Sequence, residues 1–174
     1  SEACLATARL GLKTLLVTGN IEMIASMPCN PSVGGPAKGI VVREIDALGG
    51  EMARNADKTQ IQMRLLNISK GPAVRALRAQ SDKVEYPKEM KNTILKQENL
   101  DVLEAYVGKI HIEDEELRGI VLEDGTVIES TYVVITTGTY MEAKILVGSS
   151  VTDEGPDKQK ASLGLSPQLR ELGH

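Results

Sequence analysis

The sequence predicts an α/β fold, and three stretches carry that prediction. Residues 2–11 are rich in alanine and leucine and lack proline, which predicts a closely packed helix that ends at Gly11. Residues 13–18, KTLLVT, form a short apolar run that is typical of a buried parallel strand. Residues 131–136, TYVVIT, form a second such run. A helix combined with apolar strands is the pattern of an α/β domain.

Three further helices are expected. One covers about 37–48, because Gly49-Gly50 can end it. Residues 51–72, which follow, show no clear helix or strand pattern. Residues 73–97 predict one long helix, with candidate core positions at Val74, Leu77, Val84, Met90, Ile94 and Leu95. Ser166 is expected to cap a last helix that begins at Pro167 and ends at Gly173.

Short strands are expected between the long helix and the second apolar run. Asp124-Gly125 is a strong hairpin signal between two of them. The four predicted strands cover 101–107, 109–113, 117–122 and 126–130.

This order of elements is typical of a partial FAD/NAD(P)-binding, Rossmann-like fold with a small β-meander within about 101–130. In that fold a Gly-rich turn joins the first strand to the first helix, where it holds a pyrophosphate. Here the chain begins at Ser1, inside a helix and without Met. We therefore expect a piece of a longer protein, with 1–174 an incomplete FAD-binding domain whose first strand and Gly-rich turn precede Ser1.

Composition excludes several classes of protein. The net charge is −4, so the chain as a whole is not a polyanion binder, and no apolar run approaches a membrane span. There is no Trp or Phe, which argues against a base-stacking platform. The two cysteines form no disulfide framework, and we expect a cytoplasmic protein. Charge is nevertheless uneven, because residues 64–91 carry seven cations against three acids and residues 101–130 two against nine.

The loop over residues 27–39, MPCNPSVGGPAKG, is the main candidate for chemistry. Pro28 and Pro31 restrict the backbone on either side of Cys29. Gly34-Gly35 can present backbone N–H groups to an anion or a flat ring, and Lys38 adds a positive charge. The Cys29 thiol is a candidate nucleophile if its pKa is lowered there. The alternative is a small buried apolar side chain, which is the interpretation we give to Cys4.

A second candidate is the basic segment that begins at Lys70. Lys70 and Gly71 precede the long predicted helix, and Arg75 and Arg78 lie three residues apart on one face of it. Such a corner suits a phosphate or carboxylate, although the residues alone favour a solvated basic face. No spacing of His, Cys, Asp or Glu predicts a metal site, and His111 and His174 are isolated.

Residues 28–86, from PCNPSVGGPAKG to RALRAQSDKVEY, resemble the MnmG (GidA) family of tRNA uridine 5-carboxymethylaminomethyl modification enzymes. The similarity continues through VVITTGTY to LSPQLRELG, so it covers nearly the whole chain. These runs are far more specific than a dinucleotide-binding fingerprint.

The resemblance implies an FAD enzyme that uses NADH as reductant and methylene-tetrahydrofolate as one-carbon donor. It implies a homodimer that works with the GTPase MnmE on C5 of the wobble uridine of tRNA. Cys29 matches a family cysteine near the flavin, proposed as a nucleophile, and Val107 matches a valine whose backbone contacts the adenine. The cofactor-facing loops would include Asn30, Gly34, Gly35, Lys38, Thr137, Gly138 and Thr139. Residues for RNA or phosphate would be Lys70, Arg75 and Arg78.

One loop departs from the family pattern. Over residues 149–160, Asp153 and Glu154 stand where the family has serine or Ser-Gly, and a carboxylate near a pyrophosphate repels it. Two alternatives belong to other classes of protein. Another flavoprotein with two dinucleotide-binding domains would need a CxxxxC redox pair or a different loop, and the sequence has neither. A non-catalytic interaction module that uses the basic helix on the same scaffold remains open, because a fold alone does not decide function.

Overall fold

A computed structural model describes residues 1–155, 160, 162 and 164–173. The chain forms two compact units. The first comprises residues 1–16 and 20–103, and the second comprises residues 17–19 and 104–174. Among the described residues, no helix is both long and apolar enough to cross a bilayer.

Helix and strand predictions near the chain start are confirmed. Helix α1 (Glu2–Arg9) is followed by strand β1 (Thr14–Thr18), which pairs with strand β5 (Leu100–Glu104). The pairing is parallel, since the Thr14 N–H donates to the Asn99 carbonyl and the Ala105 N–H donates to the Thr18 carbonyl, both at 2.9 Å. β1 is half-buried rather than fully buried, with Leu15 40% exposed.

Helix α1 and a later helix, α4 (Glu85–Lys96), both contribute buried side chains to the core of the first unit. Leu5 of α1 and Ile94 of α4 are completely buried. The other buried members of this core are Cys4, Ala8, Ile24, Val33, Val42, Ala56, Ala79, Tyr86, Met90 and Leu100. Small side chains on α1 allow the close packing that the sequence predicts.

A three-stranded antiparallel sheet also belongs to the first unit. Its strands are β2 (Ser32–Gly34), β3 (Gln60–Leu66) and β4 (Ala76–Ser81), in the order β2-β4-β3. Helices α2 (Lys38–Ala47) and α3 (Met52–Thr59) connect β2 to β3. The predicted helix over 37–48 corresponds to α2, and the unassigned stretch 51–72 contains α3, β3 and a 3-10 turn at Ile68–Lys70.

The single helix predicted over 73–97 is wrong in its first half. Residues Pro72–Val74 form a 3-10 turn, β4 follows, and only α4 is helical. β4 is the central strand, because it bonds to both β2 and β3. That pairing outweighs the helical propensity of its Ala, Leu, Arg and Gln residues. Of the expected core positions Met90 and Ile94 are buried, whereas Val74, Leu77, Val84 and Leu95 are exposed.

A polar network ties α1 to the start of α3. The Glu2 carboxylate accepts hydrogen bonds from the backbone N–H groups of Glu51, at 3.0 Å, and Met52, at 2.5 Å. The Arg9 guanidinium donates to the Gly49 carbonyl and to the buried Glu51 carboxylate, both at 2.7 Å. Glu2 therefore satisfies N–H groups that the first turn of α3 leaves free.

The second unit contains the expected β-meander. Strands β6 (Val107–Glu113), β7 (Glu116–Leu122) and β8 (Val127–Glu129) pair antiparallel in chain order. The Asp124 carboxylate accepts the Thr126 N–H in the predicted turn. Helix α5 (Leu165–Glu171) joins β6 through Gln168, whose side-chain amide exchanges hydrogen bonds with the N–H and carbonyl of Ile110, at 2.7 and 2.8 Å.

Two predictions in the second unit are corrected. Residues 131–136 are not a buried strand: no strand is assigned there, and Tyr132 and Val134 are 82% and 65% exposed. The run pairs with no strand among the described residues, so its apolar side chains have no sheet to pack in. The last helix begins at Leu165, with Gly164 rather than Ser166 at its cap position. A hairpin of β9 (Ile145–Val147) and β10 (Ser150–Thr152) was not foreseen.

Candidate functional site

The Cys29 loop of the first unit is fixed through its backbone. The Pro31 carbonyl accepts hydrogen bonds from the Ser81 N–H at 2.7 Å and from the Gln80 side-chain amide at 3.2 Å. On the other side of the thiol, the Lys83 ammonium donates to the Pro28 carbonyl at 3.3 Å. The loop is thus tied to the end of β4, while Cys29 itself is exposed. An anchored loop with a solvent-accessible thiol can present that thiol to a bound molecule.

Cys4 differs from Cys29 in its burial. It is buried in the first core, and its thiol donates to the Ser1 carbonyl one turn earlier in α1. The interpretation of Cys4 as a packing residue is consistent with this position. The alternative of a small buried residue does not hold for Cys29.

Gly34 and Gly35 make a tight junction between β2 and α2. Both have positive φ angles, +128° and +102°. The Gly35 N–H donates to the Leu77 carbonyl at 2.9 Å, so this group does not point to an anion as the sequence suggested. The Lys38 ammonium, at the start of α2, donates to the Ser32 carbonyl at 3.2 Å. Asn30 is exposed, and its carbonyl accepts the Ser32 N–H at 2.7 Å.

The three predicted phosphate-binding residues lie on a β-hairpin, not on a helix face. Lys70 and Arg75 belong to the connection between β3 and β4, and Arg78 belongs to β4. The Arg75 guanidinium donates to the Ile68 carbonyl at 3.1 and 3.3 Å, and the Asn67 side chain donates to the Val74 carbonyl at 2.9 Å. Arg75 therefore has a structural role in closing this connection, whatever else it binds.

Sequence analysis missed Arg64 as a possible site residue. Arg64 on β3 lies directly opposite Arg78 on β4. A cavity of about 160 Å³ opens between them, lined by Gln62, Arg64, Leu66, Arg78 and Gln80. The signal was the period-two alternation of polar residues in QIQMRLL, which indicates a strand. The same residues lie within 51–72, a stretch whose overall pattern predicts neither a helix nor a strand.

A larger open cavity, of about 390 Å³, lies beside α4. Its lining includes Ser26, which directly precedes the Cys29 loop in the sequence, and Lys83, which donates to the Pro28 carbonyl of that loop. The Lys91 ammonium forms an ion pair with Glu22 at 2.5 Å across this cavity. The remaining lining residues are Val84, Pro87 and Lys88. Three lysines and one glutamate give the lining of this groove a positive net charge, which suits a ligand that carries negative charge.

The remaining predicted cofactor residues belong to the second unit. Val107 opens β6 opposite Leu122 of β7. Thr137 precedes a 3-10 turn, Gly138–Tyr140, in which Gly138 has a φ of +59° and Thr139 is exposed. In the loop that departs from the family pattern, Asp153 lies 3.8 Å from the Lys144 ammonium. Residues 156–159 of that loop lie outside the described residues.

Local contacts shift the pKa values of two groups near the Cys29 loop and α4. Hydrogen bonds from the backbone N–H groups of Glu85 and Val84 lower the pKa of the Asp82 carboxyl. Burial raises the pKa of the Tyr86 phenol. Within the part of the chain that the structure describes, no group of three or more His, Cys, Asp or Glu side chains is arranged to hold a metal ion.

Comparison with known proteins identifies the family. The model of the family described as "Glucose inhibited division protein A" matches residues 1–174, which is the whole chain. The chain belongs to the GidA family. The GidA match spans both units and so includes the Cys29 loop, the basic hairpin and the β-meander.

Curated GidA relatives are named for tRNA modification. The chain is 58% identical over 172 residues to the tRNA uridine 5-carboxymethylaminomethyl modification enzyme MnmG of Bacillus subtilis. It is also 58% identical to the protein of that name from Geobacillus kaustophilus. Each match covers 99% of this chain and 27% of the relative. The chain therefore spans about a quarter of the length of these relatives.

Solved structures confirm the fold class. The structure of Aquifex aeolicus GidA superposes with a TM-score of 0.92 at 43% identity, covering 97% of this chain and 28% of that one. The GidA-related protein of Thermus thermophilus superposes at 0.67 with 16% identity, which shows a shared fold alone. The predicted α/β, Rossmann-like architecture with a small meander is thus the GidA fold.

Proposed function

We propose that this chain is part of an FAD-dependent enzyme that modifies tRNA at C5 of the wobble uridine. The product would be an aminomethyl or carboxymethylaminomethyl uridine. The observation that supports this most directly is the exposed Cys29 thiol on a loop fixed by backbone hydrogen bonds, in a chain whose relatives are named for this modification. We extend the proposal to the domain organisation, with residues 1–174 forming part of the FAD-binding domain.

The residues of the first unit suit a flavin in one specific respect. Nothing lies within 4 Å of the position that a Cβ would take at Gly35, so backbone and ligand can approach closely there. In this proposal Asn30, Gly34, Gly35 and Lys38 contribute to holding FAD. For the second unit, we propose that FAD is contacted by Val107, Thr137, Gly138 and Thr139.

Three small molecules are expected to take part. FAD would supply the redox chemistry, NADH would be the reductant and methylene-tetrahydrofolate the one-carbon donor. The Cys29 sulfur would act as the nucleophile, and its exposure leaves it accessible to a substrate carbon. The hydrogen bonds to Pro28 and Pro31 would keep the thiol in one place, which reduces the entropy lost on reaching a reactive geometry.

The partners are proposed from the same resemblance. They are tRNA, the GTPase MnmE and a second copy of the same protein, in the cytoplasm. Lys70, Arg75 and Arg78 would contact phosphate groups of RNA or cofactor. Their position on one hairpin supports a shared role, because a hairpin with several cations attracts polyanions.

The first experiment is a visible absorption spectrum of the full-length protein, followed by a tRNA modification assay. We expect a bound flavin spectrum that is lost on denaturation and filtration. Cys29→Ser should keep that spectrum and lose modification, because the hydroxyl is a far weaker nucleophile than a thiolate. Cys4→Ala is the matched control and should retain modification.

Each part of the proposal has an outcome that would refute it. A colourless full-length protein that takes up no added FAD would show that the flavoenzyme assignment is wrong. Normal modification by Cys29→Ser would leave the flavin assignment intact and remove the nucleophile assignment. Loss of flavin in Cys29→Ser would mean that the loop serves cofactor binding, and the thiol chemistry would then need another residue.

A further inference from the structure

We propose that Arg64 and Arg78, flanked by Gln62 and Gln80, form a cradle that binds one phosphate group on the β3–β4 hairpin. The proposal adds Arg64 and the two glutamines to the site and specifies a shared phosphate as the ligand. It rests on the proposed function only for the identity of the larger molecule that carries this phosphate.

The register places these side chains on the same face of the sheet. Gln62 lies opposite Gln80, and Arg64 lies opposite Arg78. Residues two apart on a strand share a face, and directly opposite residues have Cβ atoms about 4.5–5.5 Å apart. Two guanidinium groups and two amides therefore converge on one area, and all four line the same cavity of about 160 Å³.

The hairpin is unusual in charge. Residues 60–80 contain four cations, Arg64, Lys70, Arg75 and Arg78, and no acidic residue, which gives +4 in a chain of net charge −4. Within the described part of the chain, none of the four forms an ion pair with a carboxylate. The Arg75 guanidinium is occupied by the Ile68 carbonyl, whereas the guanidinium groups of Arg64 and Arg78 have no acceptor within the described residues.

Like charges directly opposite each other destabilise a strand pair. A phosphate between Arg64 and Arg78 would replace that repulsion with two attractions, because a guanidinium fork matches the spacing of phosphate oxygens. The amide of Gln62, and the N–H of the Gln80 amide that is not bonded to the Pro31 carbonyl, can donate to further oxygens of the same group. The cradle thus has the chemistry of a phosphate site and lacks the acidic groups of a cation site.

The size and lining of the cavity restrict the ligand. A volume of about 160 Å³ leaves room for one phosphate group between the four side chains. No aromatic side chain lines the cavity, so it does not provide a surface for base stacking. The phosphate can come from the tRNA backbone or from a dinucleotide, and the experiment separates these sources.

The test uses the full-length protein with Arg64→Gln, Arg78→Gln and the double variant. Arg54→Gln is the matched control, because Arg54 is an exposed arginine of α3 without an ion pair in the described region. Three probes are titrated into each protein: tRNA over a range of salt concentrations, FAD or NADH, and inorganic tripolyphosphate. Urea unfolding without ligand is measured in parallel.

We expect each single variant to bind one class of phosphate ligand about tenfold more weakly, with Arg54→Gln unchanged. For tRNA, the magnitude of the slope of log affinity against log salt concentration should fall by about 0.7–0.9 in each single variant. The double variant should show the same decrease as the single variants, because both arginines bind one shared phosphate. The urea midpoint of Arg64→Gln should be equal to or above that of wild type, since repulsion is relieved. If the urea midpoint is not lowered, weaker binding by Arg64→Gln cannot be explained by unfolding of the variant.

The outcomes identify the source of the phosphate or overturn the proposal. A loss confined to tRNA assigns the RNA backbone, and a loss confined to FAD or NADH assigns a dinucleotide. If the wild-type protein binds no tRNA, the proposed function is wrong. The cradle is still supported in that case if wild type binds tripolyphosphate and Arg64→Gln does not. Affinities of Arg64→Gln within about twofold of wild type for all three probes would overturn it. A double variant that loses twice the salt slope of the singles would overturn the shared phosphate.

Discussion

At Gly34 the backbone of β2 comes so close to β4 that no side chain fits. A Cβ built on Gly34 would lie 2.2 Å from the Leu77 carbonyl oxygen and 2.7 Å from the Arg78 Cα. Both obstacles are backbone atoms of a central strand, so they have little freedom to move. Gly35 shares the positive φ but has open space at its Cβ position. The two neighbours therefore depend on glycine for different reasons.

The first prediction compares Gly34→Ala with Gly35→Ala in urea unfolding of the chain. Gly35→Ala should cost about 1 kcal/mol, because alanine is strained at positive φ. Gly34→Ala should cost at least about 3 kcal/mol, because the clash with β4 adds to that strain. Equal losses in the two variants would show that backbone strain alone decides both positions.

At the scale of an element, the start of α4 depends on a carboxylate that precedes it. The Asp82 Oδ1 accepts the N–H of Val84 at 2.8 Å and that of Glu85 at 2.9 Å. These bonds satisfy two of the donors that a helix leaves free at its first turn. α4 contributes Met90 and Ile94 to the core, so fraying at this end is transmitted to the packing of the first unit.

The second prediction concerns the pH dependence of stability. Because the folded chain lowers the pKa of Asp82, its stabilising effect is complete above the ordinary aspartate pKa of about 4. It is lost as the pH falls through the lower folded value. Asp82→Ala should unfold at a lower urea concentration than wild type at neutral pH, and the difference between the two proteins should shrink in acid. A constant difference from pH 7 to about 2 would contradict this role of the carboxylate.

At the scale of the whole molecule, an apolar stretch of the second unit remains uncovered. Tyr132, Val134 and Ile135 are exposed, although they lie within four residues of one another. Contiguous apolar surface of this kind favours association. Exposed single residues elsewhere, such as Leu48, carry no such implication.

The third prediction follows for residues 1–174 expressed on their own. This chain should bind a hydrophobic fluorescent dye and associate as its concentration rises. Val134→Ser combined with Ile135→Ser should reduce both effects, whereas Leu48→Ser should change neither. Dye fluorescence and light scattering measure the two effects, and an equal response of the three proteins would show that the stretch is not the source.

Sequence patterns located the elements whose signals are local. α1, α2 and the β-meander follow from small residues, paired glycines and Asp124-Gly125, which act within a few positions. β4 does not, because its conformation depends on hydrogen bonds to β3, across the connection 67–75, and to β2, which is distant in the sequence. Residues 131–136 have the composition of a strand, but they form none, because a strand also needs a partner strand for its backbone hydrogen bonds.

The same distinction applies to the candidate site. Proline spacing and a single thiol were enough to select the Cys29 loop, and its anchoring to β4 agrees with a rigid presentation. Arg64 could not be selected, because its relation to Arg78 exists only once the hairpin has formed. The predicted helical face that would join Arg75 and Arg78 does not form, because Arg75 lies in the connection between β3 and β4 and Arg78 lies on β4.

The contrast between the two cysteines makes the molecule simple to label. The sequence has only two thiols, of which Cys4 is 8% exposed and Cys29 is exposed. A maleimide dye applied under native conditions would therefore attach at one position, beside the groove that contains Lys83. Such a probe would report on ligand arrival at this loop through a change in emission, without any substitution in the chain.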